Sequence, residues 1–150
     1  MLSKLLGRLR NSEPESPPFR AAEVYRRGGK VYVSSSSQTR DGFWMLEGHA
    51  VVVDVDDAAR LYNAVHAALA GSRSGVRAPA DWSSWCNPVL EAAGYKRFSA
   101  FAKGTSLVGI KQEAGRIQLL PHHNGGSSDR FVGLADQAME TDSDSSELPR

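Results

Sequence analysis

The chain has one cysteine, Cys86, in 150 residues. No intrachain disulfide can form, which suits a reducing cytoplasm and gives secretion no support. Long apolar runs are missing as well. The opening MLSKLLGRLR is too short and too interrupted for a signal peptide, and elsewhere the longest strongly apolar stretch is residues 50–53. A helix needs roughly 20 such residues to span a bilayer. A soluble cytoplasmic protein is therefore expected. Charge of one sign is not in excess either: 18 bases face 17 acids, for a net of +1. A general nucleic-acid binder usually shows a basic surplus. Gly-rich phosphate loops are absent, since GTSLVGIK lacks the Walker spacing and no GxGxxG follows a strand.

Metal and nucleophile signatures are equally scarce. There is no CxxC, HxxxH or HExxH spacing. The adjacent pair His122-His123 points its rings to opposite sides of an extended segment, which does not suit one shared metal. An exposed loop pair is the expectation for it. Asp54, Asp56 and Asp57 lack the central glycine and the terminal glutamate of a calcium loop. Cys86 has no local catalytic signature, and a lone cysteine beside Trp85 reads as a small buried hydrophobe. His66 lies beside the apolar stripe of a helix and reads as structural, and His49 opens a strand with no obvious partner. No catalytic, cofactor-binding or metal-binding residue is expected, and no enzyme activity.

What is present is an ordinary globular composition, 41% hydrophobic and 23% charged. A chain of this length is most simply one domain. Residues 1–30 carry seven bases and three acids, and residues 136–150 carry five acids and one arginine, so two oppositely charged ends cancel. Residues 1–20 read as a flexible arm, with Leu2, Leu5, Leu6 and Leu9 available for a short amphipathic turn and three prolines at 14, 17 and 18 ending it. Residues 21–138 form the expected domain. Residues 139–150 read as a disordered acidic tail.

Within the domain, residues 23–27 and 30–34 flank Gly28-Gly29 as a hairpin. Residues 34–37 and 38–42 read as polar loop. A short strand at 43–46, a turn at Glu47-Gly48 and a second strand at 49–55 follow. The clearest helix begins after Asp54, Asp56 or Asp57, any of which can cap it. Its stripe is Ala58, Leu61, Tyr62, Val65, Ala68 and Leu69, and Gly71 ends it. Asn87-Pro88 starts a second, short helix that Gly94 stops. Residues 99–103 are open between strand and helical turn. Residues 107–111 and 116–120 form another hairpin, 122–129 a loop, and 131–134 an edge strand. The sum is an α+β domain, a mainly antiparallel sheet with one long and one short helix packed on it.

Two features invite a partner. Tyr25-Arg26-Arg27 with Tyr32 makes a basic hairpin, residues 23–34, with aromatics for stacking single-stranded bases. Asp81-Trp82-Ser83-Ser84-Trp85 places two tryptophans in a polar loop, as a core plug or a binding anchor.

The order of the pieces Asp41-Gly42-Phe43-Trp44, the helix from Asp56, residues 94–104, the hairpin 107–120 and the loop 121–125 resembles the immunity proteins of contact-dependent growth inhibition systems in Gram-negative bacteria. The resemblance covers residues 31–135 as an ordered pattern and leaves out the proline-rich arm and the acidic tail. It implies a small cytoplasmic protein that binds and neutralises the C-terminal toxin domain of a cell-surface effector, often a nuclease, by stoichiometric blocking. It carries no catalytic residues over. Such blocking needs only complementary surface, about 1,600 Å² in a standard interface. Against a basic nuclease cleft, acids would steer the encounter. Asp54, Asp56, Asp57 and Asp81 are the candidate acids and Trp82 the candidate anchor. The alternative is a small nucleic-acid-binding module using the hairpin 23–34.

Overall fold

Alternation of apolar and polar residues around Gly28-Gly29 produces the first hairpin, β1 (Arg20–Arg27) with β2 (Lys30–Gln38), in which Arg27 pairs with Lys30 and Ala21 with Ser36. The computed structural model describes residues 19–124 and 131–142. The elements that follow are β3 (Trp44–Asp54), α1 (Ala58–Ala70), α2 (Pro88–Ala93), α3 (Phe98–Ala102), β4 (Thr105–Glu113), β5 (Arg116–Asn124), β6 (Phe131–Gly133) and β7 (Met139–Asp142). The strands form one antiparallel sheet in the order β3-β2-β1-β4-β5-β6, and β7 also pairs with β5. The α+β expectation is met, with α1 long and α2 and α3 short.

Helix α1 starts where its cap permits. The Asp57 side chain accepts from the Arg60 N–H at 3.1 Å. Its stripe, Leu61, Ala64, Val65, Ala68 and Leu69, lies on the first face of the sheet against Ala22, Val24, Val31, Val33, Val53, Ile110, Ile117 and Leu119. Each large apolar side chain buried there contributes about 1.5–3 kcal/mol. Gly71 closes the helix with right-handed φ, and it stays small because a Cβ would lie 2.9 Å from Ser35 Oγ.

The second face is covered at one end. Asn87 accepts from the Val89 and Leu90 N–H groups and so starts α2 at Pro88, and Gly94 ends it in the left-handed region. The open segment 99–103 resolves as helix α3. Val89 and Phe101 are fully buried there with Tyr25, Leu46 and Leu107.

Several local expectations give way to tertiary contacts. Residues 34–38 are strand, not loop, and Ser34, Ser36 and Ser37 are buried. Their polarity is used: Ser35 Oγ donates to Ala68 O at 2.6 Å, Ser36 O accepts from Ser72 Oγ at 2.6 Å, and Ser37 Oγ accepts from Arg73 N–H at 3.0 Å. Glu47-Gly48 is not a turn between two strands. It lies inside β3, where the register shifts between Val33 and Ser35 and Gly48 takes φ +82°. That is the signature of a bulge, which needs a residue tolerant of positive φ. His122, His123 and Asn124 belong to β5 and not to a loop, because they pair with β6. Residues 139–142, expected to be disordered, form strand β7, which pairs with residues 116–119. The amphipathic reading of 1–18 and the tail beyond 142 lie outside the described residues.

Candidate functional site

Beyond the helical cap, the second face of the sheet is left open by the described residues. β1, β4 and β5 run side by side there, and their alternate residues project into a groove of about 350 Å³. Ala21 pairs with Lys111 and Lys111 with Gln118; one step along, Glu23 pairs with Gly109 and Gly109 with Leu120. These residues line the groove with Trp44 from β3, Phe19 and His122. The Phe19 and Trp44 rings stack at 4.8 Å and 15°, and the Lys111 ammonium lies 4.2 Å from the Phe19 ring centre. Lys111 also pairs with Glu113 at 3.4 Å.

Glu23 is the unusual member, a carboxylate in the middle of a central strand. It accepts a hydrogen bond from the Tyr25 hydroxyl. Burial raises the Glu23 pKa, while the Tyr25 bond and the charge of His122 pull it back. Tyr25 is raised in turn, first by burial and then by the Glu23 charge. Removing a carboxylate from water destabilises its charged form unless a partner replaces the lost solvation. The His122 ring is held because Nδ1 donates to Leu120 O at 2.9 Å, which leaves Nε2 without the proton in the neutral ring. Its ring edge lies against Gly109, where a Cβ would sit 3.0 Å from Cε1. His123 is exposed, so the two neighbouring rings do part to opposite faces.

The candidate acids do not form one patch. Asp54 pairs with Lys30, which lowers its pKa, Asp57 caps α1, and Asp56 is exposed beside them. Asp81 accepts from the Ser83 hydroxyl at 2.7 Å and the Ser83 N–H at 2.9 Å, and its pKa is lowered by these bonds. Trp82 is 50% exposed and meets Trp85 edge-on at 5.6 Å, while Trp85 packs on the core of the second face. The tryptophan pair thus divides into one core plug and one exposed ring. Asp81 and Trp82 therefore belong to the same face as the groove, and the other three acids cluster at the start of α1.

The basic hairpin is largely committed to the fold. Tyr25 is buried, Tyr32 packs edge-on against Phe101 at 5.9 Å, and Arg27 donates to Tyr95 Oη and Phe101 O, both at 2.9 Å. The aromatics expected to stack bases face inward instead. Cys86 is exposed, against the expectation of burial. Its thiol donates to Glu91 at 3.5 Å, and that carboxylate raises its pKa. An activated thiolate needs a shift the other way. His66 is half-buried against Tyr62, with ring centres 4.3 Å apart, and its Nε2 is buried without a partner among the described residues. Among the described residues no three His, Cys, Asp or Glu side chains gather to hold a metal ion, and no helix is long and apolar enough to cross a membrane.

Phe19, Glu23, Trp44, Lys111 and His122 were not marked as a site by the sequence. One signal was available, a glutamate at an inward position of the strand that carries Ala21 and Tyr25.

No protein-family model matches the chain, and no curated protein matches its sequence. Solved structures do share its fold. One is a protein of unknown function from Neisseria meningitidis, with a TM-score of 0.69 and 18% identity over 87% of this chain and 88% of that one. Another is a chain of the CdiA-CT/CdiI toxin and immunity complex from Yersinia pseudotuberculosis, with a TM-score of 0.64 and 19% identity over 87% of this chain and 90% of that one. At these identities the likeness is one of fold.

Proposed function

We propose that this chain is an immunity protein, which binds a toxin domain and neutralises it by occupying surface the toxin needs. The observation that carries the reading is the open groove on the second face, rimmed by the stacked rings of Phe19 and Trp44. A stoichiometric blocker requires such complementary surface and no reactive centre. The fold it shares with a chain of a toxin and immunity complex supports the same conclusion, as does the ordered pattern of residues 31–135. The partner is the C-terminal toxin domain of a surface effector, a nuclease by preference, and the setting is the cytoplasm of the producing cell. Trp82 and Asp81 act at the groove's side of the molecule. Asp54, Asp56 and Asp57 steer a basic partner from the start of α1.

The test is co-expression with the C-terminal toxin domain encoded directly upstream in the source genome. A one-to-one complex on pull-down, together with restored growth, is expected. An active toxin that neither binds this folded protein nor is silenced by it overturns the reading.

A further inference from the structure

We propose that the groove receives a cationic side chain of the partner protein, arginine in preference to lysine, against the carboxylate of Glu23. The inference rests on the reading of this chain as a toxin-binding protein and names the chemistry the partner must bring.

Glu23 has one hydrogen bond among the described residues, from Tyr25 to one carboxylate oxygen, and no ion pair. The other oxygen has no hydrogen-bond partner among the described residues. The cation nearest in register is Lys111, one pair further along the same face, and it is engaged with Glu113 and the Phe19 ring. His122 lends charge but directs Nδ1 to Leu120 O. Among the described residues this half-buried acid has no ion-pair partner, and His122 supplies the one opposing charge that reaches it.

Three kinds of occupant can be compared. An anionic side chain meets the Glu23 charge and is repelled. An apolar one covers Ala21, Leu120 and the ring of Trp44 but strips the remaining water from an unpaired carboxylate, the costliest outcome. A cation satisfies the free oxygen with a charge-assisted hydrogen bond. Its stem lies along the apolar wall, and its head meets the Phe19–Trp44 stack. A guanidinium is favoured over an ammonium because it is flat, is more weakly hydrated and stacks on aromatic faces.

The experiment is calorimetric titration of the full chain with the upstream-encoded toxin domain, comparing wild type with Glu23→Gln. Glutamine keeps the shape and an acceptor for Tyr25, and thermal melting of each variant verifies the fold. Glu23→Gln is expected to bind roughly 10- to 100-fold more weakly, the usual loss of one hydrogen bond to a charged group. One arginine or lysine of the toxin, replaced by methionine, should cost a similar factor in the wild-type background and little in Glu23→Gln. Unchanged affinity of a folded Glu23→Gln overturns the cation while leaving the immunity reading intact. If the toxin does not bind the wild type, that reading fails first, and the groove is then titrated with N-acetyl-arginine methylamide and its citrulline counterpart. A saturable shift of the Trp44 indole N–H with arginine alone, lost in Glu23→Gln, supports the proposal. No saturable shift ends it.

Discussion

One face of the sheet packs on a single amphipathic helix, and the other is, among the described residues, capped at one end and open at the other. On the first face, inward positions of β1, β2, β4 and β5 are almost wholly aliphatic and close against Leu61, Val65 and Leu69 of α1. On the second, aromatic residues Tyr25, Tyr32, Tyr95 and Phe101 fill the capped end. Glu23, Lys111, Gln118 and His122 then occupy the open end. The same strands supply both faces, one residue apart. The contrast teaches that strand parity separates two environments: even positions of β1 and β4 face the aliphatic core under α1, and odd positions face the aromatic cap or the groove.

The largest test of that separation substitutes neighbours on opposite faces. Ile110→Ala on the first face should cost about 2–5 kcal/mol, as buried large-to-small changes do. Leu120→Ala in the groove wall should cost about 1 kcal/mol or less, because its side chain is only half-buried. Urea unfolding midpoints measure both, and equal losses would break the comparison.

Next comes Gly109→Ala. Its Cβ would project into the groove 3.0 Å from His122 Cε1. Overpacking of this kind costs about 1–3 kcal/mol. A displaced imidazole resonance of His122 should accompany the loss, and an unmoved resonance would show that the ring does not rest there.

A smaller effect is expected at the helix that closes the first face. Asp57→Ala should lose about 1 kcal/mol of stability through its cap. Asp56→Ala, one residue away and exposed, should stay within about 0.5 kcal/mol of wild type. Thermal melting separates the two.

The subtlest test is pH dependence. Arg73 holds the Glu47 carboxyl below its ordinary value of 4.5, so the pair stabilises the fold above that value and loses its contribution as pH falls through the lowered one. Glu23 is raised above 4.5, so its ionisation opposes folding. That opposition is absent at low pH and grows as pH rises from 4.5 toward the raised value. Glu47→Gln should therefore flatten the acid limb of stability, and Glu23→Gln the decline on the rising side. Chemical unfolding across pH 3 to 8 reads both limbs (roughly the span in which carboxylates titrate). Identical profiles for the two variants would remove the distinction.

Much of the first face was legible because its signals are local. The α1 stripe, the cap chosen from three aspartates, Asn87-Pro88 and the turns of both hairpins lie within a few residues of what they control. The serines of β2 were not legible, because Ser35, Ser36 and Ser37 are strand residues only by virtue of Ala68, Ser72 and Arg73, more than thirty positions away. Gly48 read as a turn because a bulge and a turn ask for the same backbone. The groove was hidden for a related reason. Phe19, Glu23, Trp44, Lys111 and His122 come from four separate stretches of chain, and strand order alone brings them together. The sequence-derived site residues favoured acids and an exposed tryptophan by type, and three of those acids have work inside the fold.

The bulge at Gly48 has a bearing on solubility. β3 lies at the margin of the sheet, pairing only with β2 among the described residues, and it exposes Val51 and Val52. A long straight margin of that composition would be a template for stacking copies into fibrils. The slipped register at Val33/Ser35 and the positive φ of Gly48 break the ladder partway along. Only the short stretch after the interruption is regular enough to recruit another strand. An irregularity that looks like a flaw in the pairing thus serves as a guard against edge-to-edge stacking of copies.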